Sequence, residues 1–193
     1  MFEQVEVNSE RWFDLTPLKN EEFRDIQDYE GMYQVSNYGR VKRLKRRVNT
    51  VIRNSNYRYI KEKILTSLNN GKDYLFVTLV KNKTKEYLKI HRLVAQAFIP
   101  NQNGLPCVNH KDYNRKNNKV DNLEWCSLQY NNEYSHNKPI YQKDIDGLII
   151  KKWKSATEAS KKLHITISNI SSCCNGKRQI AGGYKWEYRK EKN

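Results

Sequence analysis

The chain has 193 residues, of which 37% are hydrophobic and 30% are charged, and its formal net charge is +15. This length allows one compact core or two to three small modules. No stretch approaches the roughly 18 consecutive apolar residues of a membrane span, and the first residues lack the pattern of a secretion signal. We therefore expect a cytoplasmic protein with no membrane partner.

The positive charge is unevenly distributed. Residues 1–37 carry nine acidic and three basic side chains, whereas residues 38–137 and 138–193 have net charges of +13 and +8. Two separate basic regions predict a polyanionic partner, because each Lys or Arg placed on a phosphate releases condensed counterions. We expect duplex DNA. A ribosomal or membrane-surface protein is the alternative, but no amphipathic anchor helix favours lipid.

The N-terminal third begins without a hydrophobic period over residues 1–21, which predicts a loosely attached lead segment. Residues 32–36 alternate like a half-buried strand, Asn37-Tyr38-Gly39 supplies a turn, and residues 40–44 alternate basic with apolar side chains. Basic residues continue to position 63, which predicts a hairpin or extended arm that contacts DNA. The candidate contacts are Arg40, Lys42, Arg43, Arg46, Arg47, Arg53, Arg58, Lys61 and Lys63.

The middle of the chain combines strands and helices. Residues 74–80 form the strongest predicted strand, and residues 85–90 its hairpin partner. A helix follows over residues 91–98, and we expect His91 to begin it rather than to catalyse. Short strands at 107–108 and 123–126 flank an asparagine-rich loop. Ser127 is placed to cap a further helix over residues 127–136.

The C-terminal third predicts a small hairpin followed by two helices. Residues 140–142 and 148–150 flank Asp146-Gly147, and the spelling Ser155-Ala156-Thr157-Glu158 is a capping box. A second short helix is expected over residues 167–174, and the pair has the form of a helix-turn-helix. The candidate DNA contacts here are Ser168, Asn169, Ser171, Lys177 and Arg178. The four cysteines form no C-x2-C pair, so we expect no structural zinc.

One set of polar residues suggests phosphodiester hydrolysis. His110 ends a short predicted strand, Asn122 lies at the start of the next, and Asn131 lies within the following helix. Hydrolysis needs a base for water, a cation for the developing negative charge and a rigid frame. Asparagine is frequent in this chain, so the spacing alone is weak evidence.

The sequence motifs around these residues are more specific than their spacing. Val108-Asn109-His110-Lys111-Asp112 and Asn122-Leu123-Glu124-Trp125-Cys126-Ser127 resemble the HNH motif of phage and intron-encoded homing endonucleases. Residues 29–41 look like the modular DNA-binding element that precedes the HNH unit in this family, and residues 155–186 are similar to its C-terminal helix-turn-helix module. The resemblance covers nearly everything after residue 22.

The resemblance implies an α+β fold and an elongated, modular chain. An N-terminal antiparallel β element would occupy residues 1–72, a ββα-metal nuclease core residues 73–137, and a β-hairpin with a helix-turn-helix residues 138–193. The implied function is a site-specific, metal-dependent homing endonuclease that cuts or nicks duplex DNA as a monomer. A DNA-binding regulator with a degenerate HNH scaffold is the alternative, and an RNA-binding protein ranks third.

The resemblance also assigns roles to site residues. It implies that His110 is the general base, acting as neutral imidazole. Asn109 and Asn131 would hold one divalent ion, Mg²⁺ or Mn²⁺ by ligand chemistry, with Asn132 as the alternative to Asn131. Asn122 would fasten the loop around His110. Some family members carry Asp at the position of Asn109, and an amide binds a hard cation less strongly, so we expect metal binding to be weak without DNA.

Overall fold

The computed structural model describes residues 4–52, 55–69 and 74–189. It is a mixed α/β structure with several small antiparallel sheets. The chain divides into two compact units, Met1–Trp125 and Cys126–Asn193. None of the helices in these described residues is long and apolar enough to cross a membrane.

The first unit consists mainly of strands. Its helices are α1 (Glu10–Phe13) and α2 (Ile90–Phe98), with a 3₁₀ turn at Val120–Asn122. Its strands are β1 (Phe23–Asp25), β2 (Tyr33–Ser36), β3 (Val41–Arg43), β4 (Arg46–Ile52), β5 (Ser55–Ile60), β6 (Lys63–Ile64), β7 (Leu68–Asn69), β8 (Leu75–Lys81), β9 (Thr84–Lys89), β10 (Cys107–His110) and β11 (Leu123–Cys126). These strands form sheets of order β1-β2-β3-β6, β4-β5, β7-β8-β9 and β10-β11.

Most sequence-predicted elements of this unit are confirmed. The alternating residues 32–36 form β2, which pairs with β1 and β3 in antiparallel register. The strong strand at 74–80 is β8, which pairs with β9 from Phe76 to Lys81. The basic segment forms the antiparallel hairpin β4–β5, called the basic hairpin below. The pair β10–β11 and the loop between them, residues 107–126, are called the asparagine-rich hairpin.

One hydrophobic core joins the segments on both sides of residue 72. Val35 and Val41 of the first sheet pack in the same cluster as Val77 and Leu79 of β8. Helix α2 contributes its apolar face to this cluster, with Val94 fully buried. Burial of apolar surface is the dominant favourable term in folding, so the N-terminal element and the asparagine-rich hairpin are stabilised together.

The prediction of a loosely attached lead segment was wrong. Trp12 and Leu18 are only 4% and 2% exposed, and Ser9 caps α1 through a bond from the Trp12 amide. The segment is fixed by two single buried side chains and by backbone carbonyls, which leave no periodic pattern in the sequence.

The second unit contains α3 (Leu128–His136), β12 (Ile140–Lys143), β13 (Ile149–Trp153), α4 (Ala156–Leu163), α5 (Ile167–Cys174) and β14 (Lys185–Tyr188). Its sheet has the order β13-β12-β14. Ser127 caps α3, and the Ser155 side chain accepts from the Glu158 amide as the capping-box spelling predicts. Trp153, Ile170 and Trp186 form the centre of a separate core. The predicted pair of short helices is present as α4 and α5.

Candidate active site

His110, the last residue of β10, is buried and held by one side chain. It is 4% exposed, and its Nε2 lies 3.1 Å from Asn118 Oδ1. The Asn118 amide nitrogen donates to the Lys116 carbonyl at 3.5 Å, which turns its oxygen toward the ring. A carboxamide oxygen only accepts hydrogen bonds, so Nε2 carries the proton. The lone pair of His110 is therefore on Nδ1.

A second buried histidine packs against His110. The ring centroids of His91 and His110 are 5.1 Å apart in an edge-to-face arrangement, and Tyr74 lies within 6.0 Å of both rings. Burial lowers the pKa of His91 to about 3, with a smaller contribution from the nearby His110. Among the residues that the structure describes, His91 Nδ1 is buried without a hydrogen-bond partner. This residue lies in the first turn of α2, one position after the Ile90 that begins the helix, and it packs against His110.

The pKa of His110 itself is lowered. Burial is the main cause and Arg115 adds to it, whereas the hydrogen bond that His110 donates to Asn118 and the charge of Asp112 act in the opposite direction. Desolvation disfavours the charged imidazolium. His110 is therefore neutral at physiological pH, which is the state that a general base requires.

Asn122 fastens the loop that follows His110. Its Oδ1 accepts from the Asp112 amide at 3.0 Å, and its Nδ2 donates to Asp112 Oδ1 at 2.9 Å and to the Asn117 carbonyl at 2.8 Å. Asp112 Oδ2 accepts in addition from the Asn117 side chain. These bonds close the loop between the two strands, so the backbone next to His110 has little freedom to move.

The turn between β2 and β3 of the first sheet packs against this loop. Gly39 has a φ of +86°, and a Cβ at this position would lie 2.9 Å from the Asn118 Cβ. The neighbouring Asn37 carbonyl accepts from the Val120 amide at 2.9 Å. Only glycine combines the positive φ with such a close approach. The turn of the N-terminal element therefore positions the residue that holds His110.

Asn109, the predicted metal ligand beside His110, faces the neighbouring strand. It is 6% exposed, and its Nδ2 donates to Glu124 Oε1 at 2.8 Å. Glu124 is half-buried on β11. The structure thus brings His110, Asn109 and Asn122 together on one hairpin of the first unit.

Asn131, the other predicted ligand, belongs to the second unit. It lies in the first half of α3 and is half-buried, and the adjacent Asn132 is exposed. Its backbone amide donates to the Ser127 carbonyl. The metal-binding roles of Asn109 and Asn131, and the alternative Asn132, stay predictions.

The prediction that Arg40 contacts DNA was wrong. Its side chain is completely buried and forms an ion pair with Glu21, which is buried as well. Its guanidinium also donates to the carbonyls of Trp12, Asp14 and Thr16. All of these partners lie in the lead segment, so Arg40 attaches that segment to the first sheet and has no surface to offer a phosphate.

The other basic candidates of the N-terminal region differ in exposure. Arg47, Arg58, Lys61 and Lys63 are exposed, whereas Lys42, Arg43 and Arg46 are half-buried. Arg46 donates to the Met32 carbonyl, and Lys42 lies 3.7 Å from Glu62. Arg53 lies outside the described residues. The exposed cations cluster on and just after the basic hairpin, where their heads face solvent.

The C-terminal candidates lie on and after α5. Ser168, Lys177 and Arg178 are exposed, and Asn169 and Ser171 are half-buried. Arg178 donates to Asn169 Oδ1 at 3.1 Å and to the Ile180 carbonyl at 2.8 Å. The bond to Asn169 links the segment after α5 back to the helix, so the side chains of Arg178 and Asn169 lie next to each other.

Two site residues escaped the sequence analysis. Asn118 is one of many asparagines in the loop, and only its contact with His110 distinguishes it. Glu124 is an ordinary strand residue in sequence, and its value depends on the register that places it opposite Asn109. Gly39 packs against Asn118, but this contact cannot be recognised in the sequence, because it depends on how the two segments fold together.

Comparison with known proteins gives matches to both ends of the chain. Residues 21–80 match the model described as the NUMOD4 motif. Residues 147–187 match the model described as the DNA endonuclease I-HmuI-like, NUMOD-like domain.

Several relatives carry the name endonuclease. An uncharacterized HNH endonuclease of Acanthamoeba polyphaga mimivirus is 36% identical over 82% of this chain and 46% of its own length. The chain spans less than half the length of this relative and of a second mimivirus HNH endonuclease. The DNA endonuclease I-HmuI of Bacillus phage SP01 is 29% identical over 87% of this chain and 98% of its own.

A solved structure is also similar. It is described as DNA binding and cleavage by the HNH homing endonuclease I-HmuI, and it is 29% identical with a TM-score of 0.45. The match covers 87% of this chain and 98% of that one.

Proposed function

From its homology to the HNH endonucleases, we propose that this chain is a metal-dependent endonuclease that hydrolyses phosphodiester bonds of duplex DNA. The observation that carries the proposal is the His110 site. A buried, neutral imidazole has its Nε2 proton fixed by Asn118, and the loop around it is closed by Asn122. This arrangement serves proton abstraction better than packing, because it leaves one defined nitrogen to act as a base.

In the proposed reaction, His110 Nδ1 accepts a proton from the attacking water. The hydroxide attacks phosphorus, and the bond from phosphorus to the 3′ oxygen breaks. The 3′ oxygen takes a proton from solvent and His110 releases its proton to solvent, which leaves a 5′ phosphate, a 3′ hydroxyl and a neutral base. The Asn118 oxygen stabilises the imidazolium that forms, since Oδ1 accepts a hydrogen bond from Nε2 at 3.1 Å. A general base of this kind contributes about 10²–10⁴-fold to a rate.

The residues near His110 fit a hard divalent cation. Asn109 offers an amide oxygen, and the carboxylate of Glu124 accepts a hydrogen bond from its amide nitrogen. Asn131 of α3, in the second unit, is the other proposed ligand. Oxygen donors suit Mg²⁺ or Mn²⁺ rather than zinc. Such a cation stabilises negative charge on the phosphate and on the leaving oxygen. The residues of this chain hold it and orient the base.

The exposed basic residues supply the DNA-binding surface in this proposal. Arg47 lies over the Tyr57 ring at 4.9 Å, and Tyr57 and Tyr59 are packed edge to face on the basic hairpin. A cation held over an aromatic ring loses less side-chain entropy when it reaches a phosphate. The basic hairpin is therefore suited to follow a DNA backbone.

The second unit is proposed to read sequence. Helices α4 and α5 are separated by His164–Thr166 and would act as a helix-turn-helix, with α5 in the major groove. Asn169 is a suitable base reader, because asparagine pairs with adenine. Contacts from both units would make recognition site-specific along an extended target. A monomer acting on an asymmetric site fits the proposed homing role.

The test is a nicking assay on supercoiled plasmid DNA with Mg²⁺ or Mn²⁺. We expect the wild-type protein to convert supercoiled plasmid into relaxed or linear forms, and chelation of the metal to stop the conversion. His110→Ala should slow the reaction by roughly 10²–10⁴-fold. Glu86→Gln is the control, because Glu86 is exposed on β9 and belongs neither to the His110 site nor to the proposed DNA-binding residues.

Two results would overturn the proposal. Equal nicking by wild type and His110→Ala would show that the activity belongs to a contaminant or to another site. A wild-type protein that binds DNA but never nicks it would be a DNA-binding regulator on an HNH scaffold.

A further inference from the structure

Asn109 and Glu124, on the neighbouring strands β10 and β11, form a side-chain hydrogen bond in which Asn109 is the donor. The pairing of the two strands does not by itself require this bond. The Asn109 Nδ2 donates to Glu124 Oε1 at 2.8 Å. Asn109 is 6% exposed, so this bond forms largely out of water, where hydrogen bonds to charged groups are strong.

The carboxylate decides how the amide is oriented. An ionised carboxylate only accepts hydrogen bonds, so it selects the nitrogen side of the Asn109 amide. The two ends of a carboxamide diverge from the same carbon, and the oxygen is therefore turned away from Glu124. Asn109 Oδ1 is thus the atom that this bond leaves available to a cation.

Charge is the second contribution of Glu124. An amide oxygen brings a dipole but no formal charge to a cation, and the site residues His110, Asn109, Asn122 and Asn131 are all neutral side chains. Glu124 contacts Asn109, the proposed metal ligand, whereas the carboxylate of Asp112 contacts Asn122. Groups that hydrogen-bond to metal ligands orient them, raise their basicity and change metal affinity by about 10–100-fold.

We propose that Glu124 is the positioning residue of the metal site: it orients the Asn109 oxygen toward the cation and brings a formal negative charge into contact with this ligand. This inference rests on the proposed function. It goes beyond that proposal because it assigns a role to a residue on the opposite strand.

Three variants separate the two contributions. Glu124→Gln keeps an oxygen that can accept from Asn109 but removes the charge. Glu124→Ala removes both. In the exchange variant N109D/E124Q the carboxylate and the amide trade places, so the hydrogen bond persists with its donor reversed. Glu86→Gln is the matched control, because Glu86 is an exposed glutamate on β9 of the same unit.

Mn²⁺ binding is the primary measurement. Electron paramagnetic resonance of unbound Mn²⁺ would be followed during titration of the full chain, alone and with an equimolar random-sequence duplex, with the duplex alone as blank. We expect Glu124→Gln to weaken Mn²⁺ binding by about 10-fold or more and Glu124→Ala by at least as much. The exchange variant should bind at least as tightly as wild type, because its carboxylate is a direct ligand.

Thermal melting gives a readout that does not require DNA or activity. Asn109→Asp alone places two carboxylates in contact, so its melting temperature should fall in metal-free buffer. Mn²⁺ should then raise it by more than it raises that of the wild-type protein. The exchange variant should melt close to wild type without metal, which verifies that the pair still forms.

The inference fails if Glu124→Gln and Glu86→Gln both bind Mn²⁺ with wild-type affinity, since Glu124 would then serve only to pair two strands. It also fails if the wild-type protein binds no Mn²⁺ above the duplex blank. The proposed endonuclease function is tested separately, by nicking. If Mn²⁺ binding depends on Glu124 but the chain never nicks DNA, the inference about the metal site is supported and the proposed endonuclease function is wrong.

Discussion

The two hairpins of the first unit differ in how their polar side chains are used. In the asparagine-rich hairpin the polar groups are turned inward and bonded to one another, and His110, Asn118 and Asn122 are all at most 8% exposed. In the basic hairpin Arg47, Arg58 and Tyr59 point to solvent. The first arrangement fixes geometry, which chemistry needs, and the second offers charge, which binding needs. We therefore expect substitutions in the two hairpins to affect different measured quantities.

The largest expected effect concerns two arginines seven positions apart. Arg40 is a buried partner of Glu21, and breaking a buried ion pair costs about 3–5 kcal/mol because a charge is left uncompensated. Arg40→Met should therefore lower the free energy of unfolding by that amount in a denaturant titration. Arg47→Met, on the basic hairpin, should leave it within about 0.5 kcal/mol of wild type. Equal destabilisation by both variants would contradict the assignment of Arg40 to the structure.

Asn118 tests whether the asparagine-rich hairpin acts on the rate. Asn118→Ala leaves the buried Nε2 proton of His110 without an acceptor, which costs about 1–3 kcal/mol. We expect kcat for nicking to fall by roughly 5–100-fold, with KM for DNA unchanged. Asn118→Asp restores an acceptor and should recover most of the rate. The new carboxylate favours the imidazolium form of His110. As the pH is lowered, the activity of Asn118→Asp should therefore begin to fall at a higher pH than that of the wild-type protein.

The two buried histidines predict how stability depends on pH. In the unfolded chain His91 has the ordinary pKa of about 6.5, and in the folded chain burial lowers the pKa of His91 to about 3. Between these values the unfolded state binds the proton and the folded state does not, so stability falls as the pH is lowered from 6.5 toward 3. The expected slope is about 1.4 kcal/mol per pH unit for this group. His91→Leu should remove that contribution, as urea titrations at several pH values would measure; an unchanged slope would show that His91 is not buried neutral.

The smallest effects are expected in the basic hairpin. Arg47→Ala and Arg58→Ala should each weaken DNA binding several-fold and reduce the salt dependence of the binding constant by about one charge. The turnover of bound DNA should not change. Fluorescence anisotropy at several salt concentrations, combined with single-turnover nicking, makes this measurement. A change in the cleavage rate of bound DNA would remove the distinction between the two hairpins.

Local patterns were sufficient to predict most elements of this fold. Alternation marked β2 and β8, apolar spacing marked α2, and capping residues marked the starts of α3 and α4. These signals are contained within a few neighbouring residues. The motif around His110 also located the hairpin on which Asn109 and Asn122 lie. How those side chains act stays a proposal.

The errors and omissions share one physical cause, which is that they depend on contacts between distant segments. Arg40 looked like a DNA contact because its neighbours are basic, and its burial requires carbonyls from residues 12–16. Asn118 contacts His110 only because of the way the loop folds, and Glu124 contacts Asn109 only because of the pairing of β10 with β11. A basic residue beside a glycine turn has no local feature that distinguishes a buried ion pair from a solvent-facing charge.

The core shared across residue 72 determines which pieces of this chain can be exchanged between proteins. A fragment that began at the predicted nuclease boundary would expose the apolar faces of β8 and α2 to water and would lose the turn at Gly39 that abuts Asn118. A donor piece for recombination or for a chimaeric enzyme should therefore include the first sheet together with the asparagine-rich hairpin. The N-terminal element and the asparagine-rich hairpin therefore belong to one folding unit and should be transferred together.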